Sequence, residues 1–229
     1  MKPTFTLILL FFQVFVFAQG NSLPLVTVTG SGTVYAQPDE VLVTITLQSR
    51  DQQIEAVRAK SKTLAQNVIS YLEEQGIAAE HIQTQYANLG PIYRNYESNE
   101  IIRYEAIQMI NICIKDLDRY DAIIDGLLKQ NIHRVGKPNF RTTDYERYQD
   151  EARVLALQAA KAKAQMMATT LEQSIGPAHS IVEETFHNSF APISYEAVNP
   201  STPPQNQGKS FAPGQLEIQA KVKVSFRLF

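Results

Sequence analysis

The chain has 229 residues, 44% of them hydrophobic, with a formal net charge of −2 at pH 7 and a pI near 6.1. That length buries a core without covalent staples, and an acidic balance with no Lys/Arg cluster interleaved with aromatics argues against a nucleic-acid-binding surface. A single cysteine, Cys113, excludes an internal disulfide and a thiolate zinc site.

Lys2 precedes an apolar run from Leu7 to Phe17 broken only by Gln13, and Val16-Phe17-Ala18 sets small or medium residues where a signal peptidase reads. The run is shorter than the roughly 20 apolar residues a membrane helix needs. The expectation is a signal peptide over residues 1–18, with Gln19 first in an exported chain that carries no transmembrane span. Periplasmic placement comes first, with secretion or outer-membrane association as alternatives. No cysteine stands beside the signal to accept a lipid.

The mature part opens on an extended run through Gly30-Ser31-Gly32, then Pro38-Asp39 and a strand in which Val41, Val43, Ile45 and Leu47 alternate with Leu42, Thr44, Thr46 and Gln48. The glycine pair invites comparison with a dinucleotide fingerprint. That fingerprint wants a third glycine at its sixth position and a helix directly after it, whereas Tyr35 occupies the sixth position and another strand follows. Gly30 and Gly32 are therefore expected to form a bend or bulge, and Pro38 and Asp39 a structural turn.

A helix is expected through Ile54, Val57, Ser61, Leu64, Ala65, Val68 and Leu72, stopped by Gly76 with Ile77 as its apolar contact. Two longer extended runs, about His81 to Arg94 and Ile101 to Lys115, should pair as a hairpin across "NYESNE". Asp118 and Asp121 start a shorter helix, and "GKPNF" turns into a brief strand near Phe140. Thr143-Asp144-Tyr145-Glu146 reads as a capping box. It opens a long helix whose single face would carry Tyr148, Ala152, Leu155, Ala159, Ala162, Met166 and Thr170, ending at Gly176-Pro177. Lys161 and Lys163 in it read as a solvated face.

A strand near Ser180 to Phe186 leads into residues 188–214, rich in Pro, Asn and Ser, where Ser-Phe-Ala-Pro occurs at both ends, from Ser189 and from Ser210. An irregular loop is expected there. The closing strand from Gln215 alternates cleanly, with Leu216, Ile218, Ala220, Val222, Val224, Phe226 and Leu228 on one side. Phe229 shares its side with Arg227, Ser225 and Lys223, so it does not continue a lipid-facing row of the kind a membrane barrel needs.

The stretch "VTVTGSGTVYAQPDEV" resembles the opening of the SIMPL domain family of bacterial exported proteins. Further stretches resemble the family in order: "TQYANLGPIY", "YEA", "DLDRYDAIIDGLLKQNI", "EARVLALQAAKAKAQMMA" and "FAPGQLEIQAKVKVSF". Departures stand at Asn131-Ile132-His133 and Pro138-Asn139-Phe140. What the resemblance implies for function is an envelope protein of a group linked to stress tolerance and to oligomeric assembly. It brings no catalytic residues.

The residues themselves carry no catalytic pattern. His81, His133, His179 and His187 are scattered, and Asp116, Asp118 and Asp121 suit helix capping better than a calcium loop. Glu183 and Glu184 are adjacent on a strand and point to opposite faces, so they cannot act as an acid–base pair. No catalytic residue, metal site or cofactor is assigned.

Tyrosine is the unusual component. Tyr86, Tyr93, Tyr96 and Tyr104 cluster on the hairpin and form the candidate interface, with Tyr145 and Tyr148 at the start of the long helix. The expected fold is α+β, a split βαβ (ferredoxin-like) first part extended by the long helix and two further antiparallel strands. Subregions are drawn at 25–116 and 117–229. The expected function is a non-catalytic envelope protein that self-associates. A small-ligand or peptide-binding module with residues 188–214 as a lid is the alternative, with another envelope protein or a peptide as partner, and an uncharacterised enzyme ranks below both.

Overall fold

The computed structural model describes residues 23–95, 99–184 and 213–229. The expected signal peptide, Tyr96, Phe186, His187 and residues 188–212 lie outside them. The class is α+β, with two antiparallel sheets and three helices among the described residues.

The larger sheet is built from β2 (Glu40–Asp51), β3 (Ile82–Tyr93), β4 (Ile101–Ile114), β5 (Arg134–Val135) and β6 (Asn139–Arg141). Its order is β3-β4-β2-β5, with β6 also on β2. The helices α1 (Ile54–Glu74) and α2 (Tyr120–Leu128) connect these strands. Strands β2 and β3 both pair antiparallel with β4, so they run parallel to each other with β4 between them. In the same way β2 separates β4 from β5.

Alternation decides the core. Val41, Val43 and Ile45 of β2 lie opposite Ile114, Ile112 and Ile110 of β4, all six buried against Val68 and Leu72 of α1 and Ile123 and Leu127 of α2. Each fully buried side chain of this size contributes about 1.5–3 kcal/mol. Helix α1 ends as its sequence indicates: Gly76 has φ 79 and the Ile77 amide donates to Leu72 O at 3.0 Å.

The second sheet is a separate layer. Strand β1 (Leu25–Ala36) pairs along its whole length with β8 (Leu216–Leu228), which pairs in turn with β7 (Ile175–Glu184). Helix α3 (Tyr145–Thr170) packs on it. Hence α3, β7 and β8 join the N-terminal strand rather than widen the larger sheet. The sheets do not divide at residues 116 and 117, because α2, β5 and β6 stay with β2–β4 and residues 40–141 sit between the two parts of the smaller layer. Ala36, Leu216 and Ile218 pack with Phe140, Tyr145 and Tyr148 where the layers meet.

The expected bend at the glycine pair is absent. Gly30 and Gly32 lie in an unbroken ladder opposite Val222 and Ala220. They face α3, and a Cβ at either would collide with helix backbone, the Ala156 carbonyl oxygen at Gly30 and the Ala152 carbonyl oxygen at Gly32. Close approach of helix to strand, not a turn, is what requires them. Pro38 and Asp39 do fall in the break between β1 and β2.

Helix α3 also departs from expectation. The face it buries is Ala152, Ala156, Ala160, Ala164 and Ala168, strictly four apart, while Leu155 and Met166 of the expected face are exposed. The capping box is not formed: Asp144 is the N-cap and makes no side-chain cap bond. Nor does Gly176 stop the helix, because it lies in β7. The left-handed residue is Glu172, φ 58, with the Gln173 amide donating to Ala168 O at 2.9 Å. Glu172→Gly is expected to raise stability by about 0.5–1 kcal/mol, since glycine meets no Cβ penalty there. A denaturation midpoint that stays put or falls would refute this.

Candidate functional site

Two places concentrate chemistry or exposed apolar surface. The first is the β3–β4 hairpin. Tyr86, Leu89, Tyr93, Ile101 and Ile102 are all exposed there, Tyr86 at 46% and Tyr93 at 48%. Register sets their sides: Tyr86 lies opposite Met109 and Tyr104 opposite Pro91. Met109 and Tyr104 are five residues apart on β4, so Tyr86 and Tyr104 occupy opposite faces. The candidate tyrosines thus wrap the hairpin rather than form one stripe, and Tyr104 is half-buried. Irregular pairing between Thr84 and Tyr86 and between Ile92 and Tyr93 adds twist. Arg94 closes the turn with two 2.7 Å bonds to Glu100, which hold the Glu100 carboxyl below its usual range.

The second place is the junction between the layers. The chain crosses from β1 to β2 at residues 37–39 and from β6 to α3 at 142–144, and the two crossings are tied. The Asp39 carboxylate accepts the Thr143 amide at 2.9 Å and the Thr143 hydroxyl at 2.8 Å. This is why Thr143 does not cap α3. The Thr142 hydroxyl donates to Asp39 at 3.3 Å, and the Asp39 amide donates to Arg141 O at 3.0 Å. Beside it Glu40, with a side chain only 6% exposed, takes Nε and Nη2 of Arg141 on Oε1 at 3.0 and 2.6 Å. Its Oε2 accepts from Cys113 Sγ at 3.4 Å.

A cleft of about 670 Å³ opens over this junction, lined by Glu40 and residues 141–147. Its arginines are engaged: Arg141 with Glu40, and Arg147 with Asp144 and Glu151 at 2.9 Å each. Asp39 and Glu40 are likewise held by donors. The arrangement binds the two layers to each other.

Cys113 is the one thiol. Burial first, and then the Glu40 carboxylate, push it above its ordinary pKa. A raised thiol pKa keeps the protonated form to higher pH, so little reactive thiolate is present near neutrality. Iodoacetamide labelling at pH 8 is expected to be slower than for a free cysteine and to speed up in Glu40→Gln, with its pH profile moved to lower pH. Identical rates in the two proteins would mean that the carboxylate does not act on the sulfur.

Of the histidines, His81 is 3.7 Å from Glu80, and the His133 amide donates to Thr46 O. His179 lies exposed on β7. Among the described residues no three His, Cys, Asp or Glu side chains are grouped to hold a metal ion. Among the same residues no helix is long and apolar enough to cross a membrane.

The paired hairpin, the alanine-rich helix on β1 and the long closing strand are the elements on which the sequence resemblance rests. The family model for SIMPL, described as a protein of unknown function, matches residues 26–226. The chain belongs to the SIMPL family. It is 22% identical over 215 residues to the uncharacterized protein YggE of Escherichia coli (strain K12), covering 92% of this chain and 87% of that protein. Against YggE of Edwardsiella ictaluri it is 25% identical over 214 residues, covering 90% and 87%. Against the 26 kDa periplasmic immunogenic protein of Brucella melitensis it is 25% identical over 178 residues, covering 73% and 71%. None of these names carries a catalytic activity.

Sequence reasoning missed the junction. Glu40 and Arg141 are 101 positions apart and meet only through the β2–β6 register. It also missed that α3 turns its large residues outward, because a helix with apolar residues on several sides offers no unique face to periodicity.

Proposed function

We propose that this SIMPL protein is a non-catalytic component of the bacterial envelope, exported to the periplasm, that works as a homo-oligomeric assembly. The periplasmic part draws on the name of the Brucella relatives and on the Lys2–Ala18 pattern. The observation that carries the assembly is the hairpin. Tyr93, Ile101 and Ile102 are exposed beyond Tyr104, the last β4 residue that β2 pairs, and Tyr86 and Leu89 are exposed on opposite faces further along the strands. Large apolar side chains exposed on both faces of one hairpin suit a contact that wraps it. Tyrosine suits a contact that also has to stay soluble when open.

Light scattering of the mature protein across dilution tests the reading. A discrete species larger than one chain is expected, weakened about tenfold or more by Tyr93→Ala, which removes an anchor of about 1.4 kcal/mol or more. Circular dichroism should be unchanged, because Tyr93 lies outside the core. A strict monomer at high micromolar concentration would end the assembly reading.

A further inference from the structure

Strand β7 is an edge: it pairs with β8 on one side, and among the described residues no strand lies on the other. It is exposed on both faces. Ile181, 59% exposed, lies opposite Val224 and so on the α3 side, while Val182, 52% exposed, lies opposite Lys223 on the far side. A helix or loop docking on the sheet would cover one of these residues and leave the other wet. Only a further strand covers both while it also takes up the free edge amides and carbonyls.

The opposite edge of the same sheet carries a charge, whereas the edge devices of β7, Pro177 and the irregular pairing between Ile175 and Ser180, sit in its first half and leave Ile181–Glu184 regular. Lys163 reaches from α3 to the carbonyl oxygen of Thr29 on β1 at 2.7 Å, placing a charge on that edge. The acidic end of β7 is neutralised within the chain, Glu183 by Arg153 at 2.8 Å and Glu184 by Lys221 at 2.9 Å. Neither carboxylate is left to repel an incoming strand.

We propose that β7 is where a second copy of this chain adds, antiparallel, around a two-fold axis centred on Ile181. This rests on the assembly reading and names one of its interfaces. Such an axis sets Ile181 opposite its own copy and sends the Glu183 and Glu184 of each chain to opposite ends, so no carboxylates face each other. Both α3 helices then lie on one face of a six-stranded sheet. Leu157, exposed one turn beyond the Arg153 that reaches β7, turns toward the seam from each side. A two-fold contact uses one surface twice, and the apolar flank of each copy is matched by its own counterpart.

The test uses the mature chain, residues 19–229, in analytical ultracentrifugation across dilution. Ile181→Lys is compared with the native protein, and Ile181→Cys is made in a Cys113→Ser background. The first change should weaken self-association about tenfold or more. The second should give a disulfide-linked dimer under mild oxidation, because directly opposed Cβ atoms lie about 4.5–5.5 Å apart. An assembly unchanged by Ile181→Lys, with no disulfide dimer, would overturn the β7 contact and leave the assembly reading standing. A native protein that is strictly monomeric would remove both. A monomer whose Ile181→Cys variant cross-links to an added extended peptide, and not to itself, would assign the edge to a different partner and overturn the proposal.

Discussion

Gly30→Val is expected to lower the unfolding free energy by about 3 kcal/mol, the upper end for overpacking a closed site. The reason is what the new atoms meet. The nearest obstacles to a Cβ at Gly30 are the Ala156 carbonyl oxygen and the Ala160 amide nitrogen, both backbone. A crowded side chain can change rotamer, whereas a helix backbone moves only by carrying α3 off the sheet and opening the row of buried alanines beneath it. Shrinking Ala156 to glycine should therefore fail to rescue the variant. Gly90→Val is the control, since nothing lies within 4 Å of a Cβ there, and it should be close to neutral. With a urea m-value of about 2 kcal/mol/M, the Gly30 change moves the midpoint by about 1.5 M. Equal midpoints for the Gly30 and Gly90 variants would show that helix and strand do not meet as described.

The same glycines mark how far the sequence could be read. Elements with a single clean period were legible: β2, β4 and β8 alternate, and α1 buries the Val57, Val68 and Leu72 stripe that its spacing indicates. Gly76 with Ile77 ended that helix because a left-handed stop is a local device. Failures came where a residue serves a distant neighbour. Gly30 and Gly32 read as a bend, since a strand alone gives no hint that α3, more than a hundred residues on, will press against it. Thr143 and Glu146 had the spacing of a cap, but the Asp39 carboxylate competes for Thr143 and wins both its amide and its hydroxyl. Likewise the spacing of α3 predicts a face of Tyr148, Ala152, Leu155, Ala159, Ala162, Met166 and Thr170, of which Ala152 alone belongs to the buried row. The glycines of β1 draw the row of alanines onto the strand, which leaves much of Leu155 and Met166 exposed. The hairpin was legible as a pair of strands, but the opposite faces of Tyr86 and Tyr104 depend on the shift between Thr84 and Tyr86, which no periodicity reports.

Arg141→Met tests the junction, and its expected cost is about 3 kcal/mol. Glu40 is almost fully buried, and both short bonds to its Oε1 come from the Arg141 guanidinium. Without that cation the carboxylate keeps, among the described residues, the thiol of Cys113 at 3.4 Å, a weak donor. Glu40 lines the cleft over the junction, so water recovers part of what the guanidinium supplied. The Arg141 side chain is itself 43% exposed, which holds the loss at the lower end of the range for breaking buried pairs. The pair adds little net stability, however, because bringing both charges out of water offsets most of their attraction. Glu40→Met combined with Arg141→Met should therefore recover most of the loss, and the double-mutant cycle should return a coupling of about 2 kcal/mol or more. The Asp39 amide would still donate to the residue 141 carbonyl and Thr143 would still hold Asp39, so the two crossings stay adjacent in the double variant. If Arg141→Met alone cost less than about 1 kcal/mol, as exposed ion pairs do, Glu40 would have to reach solvent, and the junction would be a surface contact rather than the buried tie between the layers.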